Sequence, residues 1–121
     1  MSSEMKVIYV IGPFRGRNGW EVAENIRDAE RVGMLVAEAG AMPLIPHANT
    51  GSFDRTLSDK FWLRGTFALA RRCDAAITVT AIGKSWSLSE GSLAEVEYFR
   101  EAGLPVFHGI YNLRTWLGTF K

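Results

Sequence analysis

"KVIYVIG", residues 6–12, decides the fold. It is a short β-branched run that stops at a glycine, the pattern of a strand buried on both faces. The loop "PFRGRNG" (13–19) follows, with Gly16 and Gly19 inside it. From Trp20 to Ala39 the residues Val22, Ile26, Ala29, Gly33 and Val36 recur at alternating spacings of four and three. That periodicity predicts an amphipathic helix, and Gly40 is a natural stop. "AMPLIP" (41–46) reads as a second strand, with Pro43 placing it at an edge or an end. The polar stretch "HANTGSFDRTL" (47–57) predicts a long loop of the kind that carries function. A second helix is expected over 58–72, a third strand at "DAAITVT" (74–80) and a fourth at "PVFHGI" (105–110). "NLRTWLGTF" (112–120) closes the chain as a short helix or turn.

Strand and helix alternate throughout. This predicts a Rossmann-like, flavodoxin-like three-layer α/β/α sandwich with a mostly parallel sheet. In such sheets a ligand lies beyond the carboxyl ends of the strands, where the strand order reverses. The loops at 12–19, 46–57 and 81–90 belong to that edge.

The chain of 121 residues is read as one domain, 1–121, with no repeat, linker or low-complexity segment to divide it. Apolar residues make up 47% and charged residues 22%, the balance of a soluble globular protein. The net charge of +1 leaves no electrostatic footprint for nucleic acid or an acidic membrane. The one cysteine, Cys73, excludes an internal disulfide and a cysteine-based metal cluster, which fits a cytoplasmic setting. No apolar run approaches the roughly 20 residues of a membrane span, and "MSSEMK" lacks the apolar centre of a signal peptide.

"SWSLSEGSLAEVEYFREAG" (85–103) runs from a loop into a helix and carries four glutamates. At ~100° per residue, Gly91, Glu95, Tyr98, Phe99 and Ala102 share one arc, while Glu90, Glu97 and Glu101 gather on the far side. Leu93 and Val96 form a second apolar arc beside Arg100. Glu95 therefore sits in the middle of a small, aromatic face. A carboxylate held against the body of a protein needs partners or a task.

The loops offer further candidates, each with an ordinary alternative. "GPFRGRNG" has Gly-x3-Gly-x2-Gly spacing, which is neither a dinucleotide fingerprint nor a Walker loop. Its backbone N–H groups suit an anion, with Arg15 or Arg17 adding charge, and an ordinary exposed turn explains it equally well. Ser85, Ser87 and Ser89 precede a helix, so one of them caps it, with or without a phosphate at the same N-terminus. "PHANT" places His47 and Asn49 on the long loop, without metal-ligand spacing. Trp86 suits stacking on a base or covering the core. The Tyr9 hydroxyl needs a partner if its strand is buried. The aromatic residues and methionines of the first two helices are most simply core.

Ser89-x-Gly91-x-x-x-Glu95, followed by "AGLPVF", resembles the signature of the nucleoside 2-deoxyribosyltransferase superfamily. "YVIGPFRG" resembles its opening strand and loop, "PHANT" its second loop, and Cys73–Asp74 a pair ahead of its third strand. The likeness runs from about residue 6 to 108 and is strongest to the nucleotide branch, the 2′-deoxynucleoside 5′-phosphate N-hydrolases and pyrimidine-nucleotide N-glycosidases.

That resemblance implies a carboxylate nucleophile attacking C1′ of the sugar while the base departs, through an oxocarbenium-like transition state. Glu95 matches the nucleophile and Tyr9 the residue that orients it. Gly12, Arg15 and Gly16 match the phosphate-side loop, and Ser89 and Gly91 the positions holding phosphate or sugar, with Phe14 and Ser87 as further substrate-binding candidates beside them. With His47, Asn49 and Trp86 they complete the expected substrate site. The implied substrate is a small nucleoside 5′-monophosphate, the implied state a homodimer, and no cofactor or metal is expected. One departure stands out. The family's aspartate eight residues before the aspartate of the third strand is Thr66 here, which cannot supply a proton as a carboxylic acid does. His47 and Asp59 are candidates to compensate. Hydrolysis is the preferred expectation, with transfer to a second base or nucleotide binding without chemistry as alternatives.

Overall fold

The computed structural model describes residues 4–53, 56–83 and 90–118. Its centre is a parallel sheet of four strands, β1 (Val7–Ile11), β2 (Met42–Leu44), β3 (Ala75–Thr78) and β4 (Val106–Phe107), in the order β2-β1-β3-β4. The connecting helices are α1 (Gly19–Glu38), α2 (Pro46–Thr50), α3 (Asp59–Ala70), α4 (Glu90–Glu101) and α5 (Ile110–Leu117). β1 lies between two neighbours, with Tyr9 opposite Leu44 on one side and Ala76 on the other. Its apolar run follows from that position, since successive side chains enter opposite layers.

Ile8 and Val10 join Ala29, Val32 and Val36 of α1 and Leu113 of α5 in one core. Tyr9 and Ile11 join Ala70 of α3 and Val96 and Phe99 of α4 in the other. Helices thus cover both faces of an all-parallel sheet, the expected three-layer, Rossmann-like sandwich. The chain leaves β1 for β2 on one side and later returns to β3 on the other. The crevice beyond the carboxyl ends of β1 and β3 is therefore the switch point of the sheet.

Local chemistry sets the boundaries. The Asn18 side chain accepts from the Glu21 N–H at 3.0 Å and caps α1, while Ser58 Oγ accepts from the Phe61 N–H at 3.2 Å and caps α3. Gly40, at φ 98°, takes the left-handed conformation that ends α1. Asp74 ties the beginnings of the two inner strands, β1 and β3, together. Its Oδ2 accepts from the Val7 N–H at 2.8 Å, and its own N–H donates to the Val7 carbonyl at 2.8 Å.

Several expectations change. The stretch after the second strand is not an open loop, because Pro46–Thr50 is helical and Gly51–Phe53 continues as a 3-10 turn. Pro46 in the first turn has the φ a helix needs and lacks an N–H that would go unpaired. The third strand ends at Thr78, where Val79–Ile82 turn as a 3-10 helix. The fourth keeps only Val106–Phe107, and the closing helix begins at Ile110. The aromatic and methionine residues of α1 and α3 are not all core, since Trp20, Met34 and Phe61 are exposed. The inward face of α4 is also rotated from the sequence projection. Ser92, Val96 and Phe99 are buried, Glu95 and Tyr98 are half-buried at its margin, and Gly91 and Ala102 are exposed. Glu97 and Glu101 face outward as expected. No helix among the described residues is long and apolar enough to cross a membrane.

Candidate active site

Tyr9 is the middle residue of the central strand and is fully buried. The alternation of β1 sends its ring toward α4, where it meets the Phe99 ring at 5.4 Å between centroids. Phe99 fixes α4 against the sheet, and Glu95 lies one helical turn before it, on the same side. The result is a hydrogen bond of 2.5 Å from the Tyr9 hydroxyl to Glu95 Oε2. Burial pushes the Glu95 carboxyl up to about 7, and the Tyr9 bond restrains the rise because it favours the ionised form. Tyr9 itself is held far above the usual phenol range, first by burial and then by the neighbouring Glu95 charge. It therefore stays a donor.

Glu95 and Gly91 form one wall of a cavity of about 650 Å³ beside the switch point. The loop after β1 contributes Pro13, Phe14 and Arg15 to it, and α2 contributes Pro46, His47 and Thr50. Asp59, Trp62, Leu63 and Thr66 of α3 complete the lining. Their spacing of three, four and seven puts them on one face of that helix. Such a cavity is of small-molecule size and combines aromatic walls with a few polar groups, as small-molecule sites do.

His47 is buried, and its Nε2 lies 2.9 Å from the Gly12 carbonyl and 3.0 Å from that of Pro13. Carbonyls only accept, so Nε2 carries the hydrogen and Nδ1 presents a lone pair. Burial lowers the imidazole pKa against the opposing pull of those two carbonyls, which favours the neutral ring. His47 Nδ1 and Trp62 Nε1 are both buried without a hydrogen-bond partner among the described residues. At the rim, Arg15 pairs with Asp59 at 2.9 Å, both side chains being substantially exposed. An exposed pair of this kind contributes little to stability. The Thr66 hydroxyl donates to the Trp62 carbonyl at 2.8 Å.

The structure thus brings Phe14, Arg15, His47, Gly91 and Glu95 to one cavity, with Tyr9 behind Glu95. Gly12 supplies a carbonyl to His47 and packs tightly on Val79, where an added Cβ would come within 2.7 Å of Cγ1. Gly16 sits in the exposed loop, close against Glu21, and Asn49 is exposed on α2. Neither is among the residues lining the cavity. Ser85, Trp86, Ser87, Ser89 and the side chain of Glu90 lie outside the described residues. Trp62, an aromatic helix residue expected in the core, and Leu63 are lining residues. The signal for them was the face they share with Asp59 and Thr66. Among the described residues no group of three His, Cys, Asp or Glu side chains is placed to hold a metal ion.

In comparisons with known proteins, no family model, curated protein or solved structure matches the chain.

Proposed function

We propose that this chain is an N-glycosidase that hydrolyses the base–sugar bond of a nucleoside 5′-monophosphate, and that it belongs with the nucleoside 2-deoxyribosyltransferases it resembles. The observation that carries this reading is the Glu95 carboxyl, drawn into the protein, bound by Tyr9 and placed on a cavity wall at the switch point of the sheet. A structural helix position facing the core would favour an apolar side chain.

In the first step a Glu95 oxygen bonds to C1′ as the C1′–N bond breaks, and the electron pair leaves with the base. In the second, water attacks C1′, the ester C–O bond breaks, and the carboxylate is restored as the water gives up a proton. The Tyr9 hydroxyl holds one carboxylate oxygen, which fixes the direction of the other. Phe14 and Trp62 offer apolar walls to the base and Arg15 a guanidinium to the phosphate, at the expense of its pair with Asp59. Screening nucleoside monophosphates for released free base by chromatography tests this reading. Including a second free base in the same incubation separates hydrolysis from transfer.

A second reading, a nucleotide-binding protein without chemistry, is favoured by one observation. Thr66 stands where the resemblance expects an aspartate, and its hydroxyl is committed to the Trp62 carbonyl. Binding of monophosphates without base release from any of them identifies that case. The protein acts in the cytoplasm and as a homodimer in this proposal. The exposed Phe53, Leu57, Phe61, Leu63 and Leu93 supply apolar surface for an interface, and the mass from light scattering tests it.

A further inference from the structure

The described residues lining the cavity carry one guanidinium, Arg15, against two carboxyl groups, Asp59 and Glu95. His47, the remaining titratable side chain of the wall, is held toward its neutral form by burial. The guanidinium is also engaged. Its Nη2 donates to Asp59 Oδ1 at 2.9 Å and its Nη1 to Asp59 Oδ2 at 3.4 Å. Asp59 thus takes the two terminal nitrogens, an edge with which an arginine grips a carboxylate or phosphate in a bidentate pair. Arg15 sits on the loop after β1 and Asp59 in the first turn of α3, so the pair joins two walls of the cavity.

We propose that Asp59 is a specificity-determining residue that limits the charge of the ligand. It competes with the phosphate for Arg15 and selects a nucleoside monophosphate over the corresponding di- and triphosphate. This rests on the nucleotide reading of the cavity. A phosphate that takes the terminal nitrogens of Arg15 leaves the Asp59 carboxylate beside it. Like charges a few ångströms apart near a surface weaken binding by about three- to tenfold. Each further phosphate adds negative charge within a Debye length, ~8 Å, of that carboxylate. Among the described residues lining the cavity no second Lys or Arg offsets it.

Asp59→Asn tests this, because the amide keeps the size and one acceptor but not the charge. Calorimetry on Glu95→Gln protein, with and without Asp59→Asn, measures binding free of turnover. The probes are the nucleoside monophosphate that binds best among the ribo and deoxy forms of the common bases, with its own nucleoside, diphosphate and triphosphate. With Asp59 in place the monophosphate should bind tighter than the diphosphate and the triphosphate. Asp59→Asn should tighten the monophosphate about three- to tenfold and the longer members at least as much. The nucleoside should change by about twofold at most. Asp59→Glu, which restores the carboxylate, should return the original order. A diphosphate or triphosphate that binds as tightly as the monophosphate to protein with Asp59 overturns the proposal, whether or not the variants fold. Weaker or unchanged monophosphate binding in Asp59→Asn overturns it too, as do equal changes for nucleoside and monophosphate, which a merely structural role would give. Each of these outcomes leaves the nucleotide reading standing. Failure of every nucleoside and nucleotide to bind defeats that reading, and this inference with it.

Discussion

The Tyr9 hydroxyl, on the central strand, donates across 2.5 Å to Glu95 Oε2, on the helix covering that strand. The bond joins the most buried layer of the fold to the wall of its cavity. Removing it leaves a carboxylate drawn from solvent without its donor, a defect that typically costs about 1–3 kcal/mol. Tyr9→Phe keeps the ring on Phe99 and so keeps the packing. Base release by this variant is expected to be slower, with its pH midpoint moved upward, because the lost bond was what restrained the Glu95 pKa. A slower rate with an unmoved midpoint would place Tyr9 outside the control of Glu95.

Ionisation of Glu95 also links activity and stability to pH in opposite senses. As a nucleophile it acts as the carboxylate, so kcat/KM should rise with pH and level off above about 7. Stability runs the other way. Between the ordinary value of 4.5 and about 7, the folded protein retains a proton that the unfolded chain has lost, so Glu95 costs stability as pH rises through that window. Glu95→Gln never ionises and should be more stable than wild type at pH 8 by about 1–3 kcal/mol, measured by urea unfolding. The lowered pKa of His47 works at the acid end, where the unfolded chain takes up a proton that the buried ring resists. Its stabilising contribution is lost as pH falls below the ordinary imidazole range.

Thr66→Asp tests the departure from the resembled family. Threonine and aspartate are close in size, and the position lines the cavity. A carboxylic acid there should speed release of a poor leaving base, toward the ~10²–10⁴-fold range of general acid assistance. The gain should fade as the new acid ionises. No gain at any pH would separate this position from protonation of the base.

How much of this was legible in the sequence follows from what each signal depends on. β1 and α1 were readable because burial on both faces, and on one stripe, writes period directly into "KVIYVIG" and the Val22–Val36 series. Residues 46–53 show no helical signal in the sequence because a short helix started by Pro46 has too few turns to show a period. The α4 projection found Glu95 but turned the face, because the seam between β1 and β3 selects Ser92, Val96 and Phe99 rather than the broadest apolar arc. The sequence places Trp62 in the core, since an aromatic residue on a helix is usually core. Only the third dimension shows its indole nitrogen buried without a partner among the described residues.

Gly12 carries a packing prediction of its own. An added Cβ would fall 2.7 Å from Cγ1 of the buried, β-branched Val79, which has little room to yield. Gly12→Ala should destabilise the fold by about 1–3 kcal/mol, as overpacking does, and shift the carbonyl that holds His47. A thermal melt checks the first effect, and the affinity for nucleoside monophosphates, measured by calorimetry, checks the second.

In the proposed reaction Glu95, half-buried on α4 and bonded to Tyr9, performs the chemistry. The measurement closest to it is the rate of free-base release from the best nucleoside monophosphate, compared among wild type, Glu95→Gln and Glu97→Ala at pH 8. Release by wild type is expected, with the same rate within about twofold for Glu97→Ala, whose side chain faces outward, and none above background for Glu95→Gln. Equal release by Glu95→Gln, or loss of activity in Glu97→Ala with Glu95→Gln still active, would contradict it.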